Sequence, residues 1–265
     1  MASNARKCFS RTAGGYLDSR QPRQREKIMA PRLQKTRLIE RVARGGDVVT
    51  FRFERPAGHE YQAGQWFAIT IPGPSGPLDH HFSYSSSPTE PWVELTTHVR
   101  DSEFKQTMAK LKLGTEVEVE GPYGSFILAP GPEPAVFLAG GIGVTCVRSI
   151  LRKHVDMLED PPGRRIVVVH ANKSEEAMPF REELSRMEVD APGLRVVHIL
   201  SHADSTWRGH RGHIDADLLG RELCGGEPWV YYASGPPGFV AGMMDMLQGL
   251  GVTPSRIRTE RFDGY

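Results

Sequence analysis

At 265 residues, with 39% hydrophobic and 25% charged side chains, the chain has apolar material for two ordinary domains or one large one. Lys plus Arg (33) and Asp plus Glu (32) nearly cancel to a net +1, so no global field points to nucleic acid. Three scattered cysteines, Cys8, Cys146 and Cys224, follow no CxxC spacing, which disfavours a disulfide framework, a structural zinc and a Cys-ligated iron–sulfur cluster, and no apolar run is long enough to span a bilayer.

Residues 1–32 are rich in Arg and Lys (Arg6, Lys7, Arg11, Arg20, Arg23, Arg25, Lys27, Arg32) against only Asp18 and Glu26, and lack apolar periodicity. They are expected to form a disordered basic arm, with a transit peptide or translation from Met29 as alternative readings. The apolar core of a secretory signal is missing, so a cytoplasmic protein is expected.

From Leu33 the pattern turns β-rich. "LQKTRLIERV", "DVVTFRFERP", "QWFAITIP", "HHFSYSS", "PWVELTTHV" and "TEVEVEGP" are short, alternate in polarity and are separated by Gly, Pro or Asp turns. Val49, Phe51 and Phe53 are expected on one face of their strand, with Thr50, Arg52 and Glu54 on the other. One helix interrupts, "DSEFKQTMAKLK", with Phe104, Met108 and Leu111 on one stripe and Ser102 as its N-cap. These elements predict a small antiparallel β-barrel over 33–130.

The Pro-rich "APGPEP" marks a junction. Beyond it, short apolar strands ("AVFLA", "RIVVVHA", "LRVVHIL", "WVYYAS") alternate with helical stretches, predicting a parallel-sheet α/β domain over 131–265.

Four segments carry candidate chemistry. In "AVFLAGGIGVTCVRSIL", Ala135 to Leu151, a buried strand runs through Gly140, Gly141 and Gly143 directly into a helix. Such a turn lets backbone N–H groups and a helix N-terminus face a diphosphate, although a ligand-free β–α turn has the same look. "YYASGPPGFVAGMMDML", with Gly235, Pro236 and Pro237, repeats that geometry; Pro opening a helix is also simply good structure. "GPYGSF", Gly121 to Phe126, is a phosphate loop or a plain turn. "LDHHFSYSSSP", Leu78 to Pro88, poses a choice between metal site, serine nucleophile and ordinary strand. Adjacent strand histidines point to opposite faces, which argues against His80 and His81 sharing a metal, and Ser83 lacks nucleophile-elbow glycines. His198, His202, His210 and His213 lack helical ligand spacing and are expected on solvent-facing loops.

Together these segments, spanning Leu33 to Tyr265, resemble the ferredoxin–NADP reductase superfamily. Its flavin motif, Arg-x-(Tyr/Phe)-(Ser/Thr)-x-x-Ser-x-Pro, stands here as His80 to Pro88; its Gly-Gly-Ile-Gly-(Val/Ile)-Thr-Pro motif is Gly140 to Cys146; its Cys-Gly-Pro-Pro has Ser234 for Cys; and "TERFDGY" is similar to the close of stand-alone bacterial members.

The resemblance implies an FAD-binding antiparallel barrel followed by an NAD(P)-binding α/β domain, and a reductase passing hydride from NAD(P)H to flavin N5. It implies an FAD set of His80, Phe82, Ser83, Ser86, Thr97, Val99, Gly121, Gly124, Ser125, Phe262 and Tyr265, with Ser83, Ser234 and Glu260 at the reacting rings. Gly140, Gly141, Gly143, Thr145, Gly235, Pro236 and Pro237 would take NAD(P), and Lys173, Arg208 and Arg211 the 2′-phosphate, favouring NADPH over NADH despite Glu175, Glu176 and Asp204. Neutral His80 replaces a charged fork at the diphosphate, so weaker FAD binding is expected unless Arg100 or Lys105 compensates. The implied partner is an electron-accepting protein of ferredoxin or flavodoxin type, or a small acceptor, with no metal or cluster in this chain. A rival reading from another class is a non-catalytic nucleotide- or partner-binding module derived from the same fold.

Overall fold

A computed structural model describes residues 30–157, 163–223 and 227–262. Most of the basic arm, Cys8, Cys224 and Tyr265 lie outside them. All six expected barrel strands are present: β1 (Arg32–Gly45), β2 (Val48–Glu54), β3 (Trp66–Gly73), β4 (Gly76–Ser83), β5 (Trp92–His98) and β6 (Glu116–Tyr123). They form one curled antiparallel sheet in the order β4-β3-β6-β1-β2-β5. Their inward residues, including Leu38, Phe51, Phe53, Phe67, Ile69 and Phe82, make one core, closed by Phe104 and Met108 of α1 (Glu103–Lys110). Ser102 occupies the N-cap position, but its side chain makes no capping bond.

Val49, Phe51 and Phe53 of β2 face the barrel core as expected, and the opposite face is covered too: Thr50 is fully buried, and its hydroxyl shares a 2.7 Å hydrogen bond with that of Thr96. The outer face of this strand is covered by a network of ion pairs. Arg52 joins Glu40 and the buried Glu94, and Arg44 approaches both Glu94 and Glu183.

The second sheet comprises β7 (Ala135–Gly140), β8 (Ile166–Asn172), β9 (Leu194–Leu200), β10 (His210–Arg211), β11 (Val230–Gly235) and β12 (Ile257–Arg261), all parallel, in the order β10-β9-β8-β7-β11-β12. Alternate residues of β7 serve two cores. Ala135, Phe137 and Ala139 pack with α2 (Val144–Asp156) and α3 (Arg181–Asp190), whereas Val136 and Leu138 pack with α4 (Ala216–Glu222) and α5 (Pro237–Gly249). Burial on both faces is why these strands are apolar throughout rather than alternating. The chain leaves β7 toward β8 on one side and returns to β11 on the other, so a ligand crevice opens between the carboxyl ends of β7 and β11.

Three elements were not expected: β10, α4 and β12. The first is only two residues long, and the third, "IRTER", is a polar edge strand. Among the described residues no helix is long and apolar enough to cross a membrane.

Candidate active site

Two cavities meet at the turn after β7. The first, about 310 Å³, lies where the sheets face each other and is lined by Trp66, Phe82, Ser83, Thr96, Thr145 and Glu260, with His81, Arg261 and Phe262 at its margin. β4 delivers Phe82 and Ser83, the N-terminus of α2 delivers Thr145, and β12 brings Glu260 beside β11, in register with Ser234. Ser83, Thr145 and Glu260 make no side-chain hydrogen bond to any other described residue, so the cavity has a polar edge and aromatic walls. Burial pushes the Glu260 carboxyl up to about 7.

The second cavity, about 400 Å³, opens at the carboxyl ends of β7, β8, β9 and β11. Its lining includes Gly140, Gly141, Lys173 and Pro236, with His98 and Arg100 reaching over from the barrel. Both barrel groups are held by Asp47, at 2.6 Å from His98 Nδ1 and 2.8 Å from Arg100 Nε. The turn between the cavities is tightly built. A Cβ on Gly143 would lie 2.3 Å from the Ser234 carbonyl oxygen and 2.6 Å from Gly235 Cα, so only glycine lets β11 approach here.

Three side chains secure that turn. Ser234 Oγ donates to the Gly143 carbonyl at 2.8 Å, Cys146 Sγ to the same oxygen at 3.3 Å, and His170 Nε2 to the Gly141 carbonyl at 3.2 Å. Burial holds His170 down at about 3, so the ring is neutral. It also raises the Cys146 thiol well above its usual range.

Several sequence candidates sit elsewhere. Ser234 has no solvent exposure and faces the turn rather than either cavity. Ser86 is also buried: its hydroxyl bonds Tyr61 Oη at 2.8 Å and accepts from the Glu94 amide at 3.0 Å. From β5 it is Thr96, not Thr97, that lines the first cavity, because neighbouring strand residues face opposite ways. The Val99 amide donates to Asp47 O at 2.8 Å. A Cβ on Gly121 would meet Tyr84 Oη at 2.8 Å, so this glycine makes room inside the barrel, while Gly124 and Ser125 are exposed.

Of the three bases expected at a 2′-phosphate, only Lys173 lines the second cavity. Arg208 borders a separate basin beside β9 and β10, and the Arg211 guanidinium caps the carbonyls of Ala203, Asp204 and Trp207. The expectation that His198 lies on a solvent-facing loop is corrected. It is on β9, its ring 5.8 Å from that of His170, and burial lowers its pKa to about 4.

Residues 137–245 match the model for an oxidoreductase NAD-binding domain. The chain is 31% identical over 222 residues to ferredoxin–NADP reductase B of Sorangium cellulosum, a match covering 80% of this chain and 90% of that protein. The chain belongs to the ferredoxin–NADP reductase superfamily. It is therefore a flavin-dependent NAD(P)H reductase, an enzyme that passes electrons from a nicotinamide nucleotide to an acceptor. Among solved structures, the reductase fold is shared with the Amycolatopsis cytochrome P450 reductase GcoB (TM-score 0.76, 22% identity, 88% of this chain and 70% of that one). It is also shared with a Neisseria gonorrhoeae ferredoxin NADP+ reductase with bound FAD and NADP (TM-score 0.74, 16% identity, 86% and 98%).

The first cavity fits a flavin on its own chemistry. A flat, polar-edged ring needs apolar walls and a few hydrogen-bonding groups on one rim, which is what Phe82, Trp66, Ser83, Thr145 and Glu260 supply. The reductase departs from the family motif at His80. Its Nδ1 lies 2.8 Å from the His81 amide nitrogen and 3.1 Å from the His81 carbonyl oxygen, the ring stacks on Phe82 with centroids 4.7 Å apart, and burial lowers its pKa. An imidazole offers a diphosphate no bidentate fork.

Proposed function

We propose that the reductase takes hydride from NADPH bound in the second cavity to FAD bound in the first, and hands electrons to a redox protein of ferredoxin or flavodoxin type. FAD is held mainly by residues 33–130 and the nucleotide by residues 131–265. The observation that carries this reading is the shared turn: Gly140 and Gly141 border one cavity, and Thr145, at most five residues on, borders the other. Two ligands placed there lie on either side of one loop, and proximity is most of what such a reaction asks of a protein. FAD, when bound, supplies the chemistry that converts a two-electron donor into single electrons. Ser83 and Glu260 orient the reacting edge, Glu260, raised to about 7 by burial, is placed to exchange a proton near neutral pH, and the α2 N-terminus favours the diphosphate of the nucleotide. The ferredoxin-type acceptor is supported by the name of the Sorangium relative.

Purified protein tests the whole reading. Uptake of FAD, bleaching of its absorption by NADPH under anaerobic conditions, and transfer to a ferredoxin or flavodoxin in an acceptor screen are expected. Colourless protein that takes up no FAD would point instead to a binding module.

Two substitutions probe the ligand assignments. His80→Arg should tighten FAD binding by about tenfold, since it adds charge and a second donor at the diphosphate. Fluorescence titration of the flavin-free protein reads this directly, and equal or weaker affinity contradicts placing His80 at the diphosphate. Lys173→Ala should raise the half-saturating NADPH concentration about tenfold and leave that for NADH unchanged. An equal effect on both nucleotides would remove Lys173 from the 2′-phosphate site.

A further inference from the structure

Arg148 is a charged residue on the mostly apolar buried face of α2, beside Val147 and Ile150, and only 3% of it is exposed. Burying a guanidinium is costly unless it is fully paired, and this one is. Nη1 donates to the Ser85 carbonyl at 2.9 Å, Nη2 to Glu90 Oε1 at 2.9 Å and Nε to Glu183 Oε1 at 2.8 Å, with further short contacts to both carboxylates. Its partners thus come from α3 on one side and from the segment that follows the Phe82–Ser83 strand on the other.

That segment, Ser85 to Glu90, is fastened at several points. Ser149 Oγ donates to the Ser86 carbonyl, and Thr89 Oγ1 donates to Asp156 at the far end of α2. Within the segment, Glu90 Oε2 accepts the Ser87 amide at 2.7 Å, and Ser85 Oγ donates to Glu94 at 2.8 Å. Ser85, Ser86 and Ser87 have no solvent exposure.

Arg148 is four residues along α2 from Val144, about 6 Å of helix rise. Ser85 is two residues from Ser83, at most about 7 Å of extended chain. The helix that follows Gly140, Gly141 and Ile142 of the nucleotide cavity is therefore joined by a short path to the strand that borders the flavin cavity. We propose that Arg148 is a positioning residue that sets the spacing between the two ligand-binding edges by tying Ser85 and Glu90 of the barrel to Glu183 across α2. This rests on the assignment of the two cavities to FAD and NADPH. It touches neither ligand site, so its loss acts on alignment rather than on binding. Misplacement by about 1 Å costs a transfer reaction of this kind about 10²-fold.

The test uses the full chain carrying Arg148→Met, the triple variant R148M/E90Q/E183Q, in which all three charges are removed, and Arg148→Lys. The triple variant is needed because the single one strands two partly buried carboxylates and risks misfolding. Amide hydrogen exchange at Ser85, Ser86, Ser87, Thr89 and Glu90 is followed without FAD, and anaerobic single-turnover flavin reduction is followed against NADPH concentration with it. Met variants should exchange at least tenfold faster across this segment. Their limiting reduction rate should fall about 10²-fold, with the half-saturating NADPH concentration changing less than about threefold. Lys should recover part of the rate, because one ammonium can hold one partner but not the fork.

A limiting rate unchanged in a variant whose segment exchanges faster would overturn the proposal. So would unchanged exchange, or a rise in half-saturation with no change in limiting rate. If the wild-type chain takes up no FAD, the ligand assignment fails, and the exchange comparison alone then decides whether Arg148 holds the segment.

Discussion

Glu260→Gln slows anaerobic reduction of the FAD-loaded enzyme by NADPH about 10²-fold and flattens its pH dependence near neutrality, the size expected when a positioned acid–base group is lost. The carboxyl has no hydrogen-bonding partner among the described residues, borders the same cavity as Ser83, and is held up at about 7 by burial. In the wild type the protonated form dominates below that value, so the rate should fall as pH rises through about 7. Stopped-flow reduction from pH 5.5 to 8.5 reads both effects, and a Gln variant that keeps the wild-type pH limb would reassign it to another group.

Replacing Glu260 by Gln should move stability in the opposite sense to the rate. A carboxyl whose folded pKa is raised is neutral in both states below its unfolded value, near 4.5, and there contributes no penalty. Between 4.5 and about 7 the unfolded chain ionises first, and the folded state loses relative stability until the buried group ionises as well. The Gln variant should therefore equal the wild type at pH 4 and exceed it at pH 8, by at most about 3 kcal/mol. Thermal unfolding at the two pH values measures the difference.

Gly143→Ala is expected to be a severely damaging single methyl group in the turn that borders the nucleotide cavity. The added carbon meets the Ser234 carbonyl at 2.3 Å and Gly235 Cα at 2.6 Å, both backbone atoms of a central strand that cannot rotate away. Overpacking of this kind costs about 1–3 kcal/mol or more in the folded state. The turn must then open, and with it the bonds from Ser234 and Cys146 to the Gly143 carbonyl. The half-saturating NADPH concentration should rise about 10²-fold, in line with such a penalty, while FAD uptake changes far less. Parallel titrations of NADP+ and FAD separate the two. Equal losses would mean that the domain has unfolded rather than that the turn has moved.

Much of this architecture was legible in the chain. Alternation at Phe51 and Phe53 marked barrel strands, and the unbroken apolar runs at Val136–Leu138 and Val167–Val169 marked strands covered on both faces. The glycine turn at Gly140–Gly143 was legible because a strand, three glycines and a helix in succession have few other uses. What escaped depends on partners distant in sequence. Thr50 is polar yet buried because Thr96 answers it, and Ser234 looked like a ligand group but is engaged by a carbonyl 91 positions away. His170 carries no local signal that it braces Gly141. Cys146 and Ser234, both departures from the family pattern, converge on one oxygen, a relation invisible to motif matching.

The two cavities sharing a single turn also has a thermodynamic consequence. Any tightening of that loop by one occupant changes the free energy available to the other, and the coupling is reciprocal. Whatever factor NADP+ adds to the affinity for FAD, FAD must add the same factor to the affinity for NADP+. A factor above one makes flavin occupancy rise with nucleotide concentration, and a factor below one makes it fall.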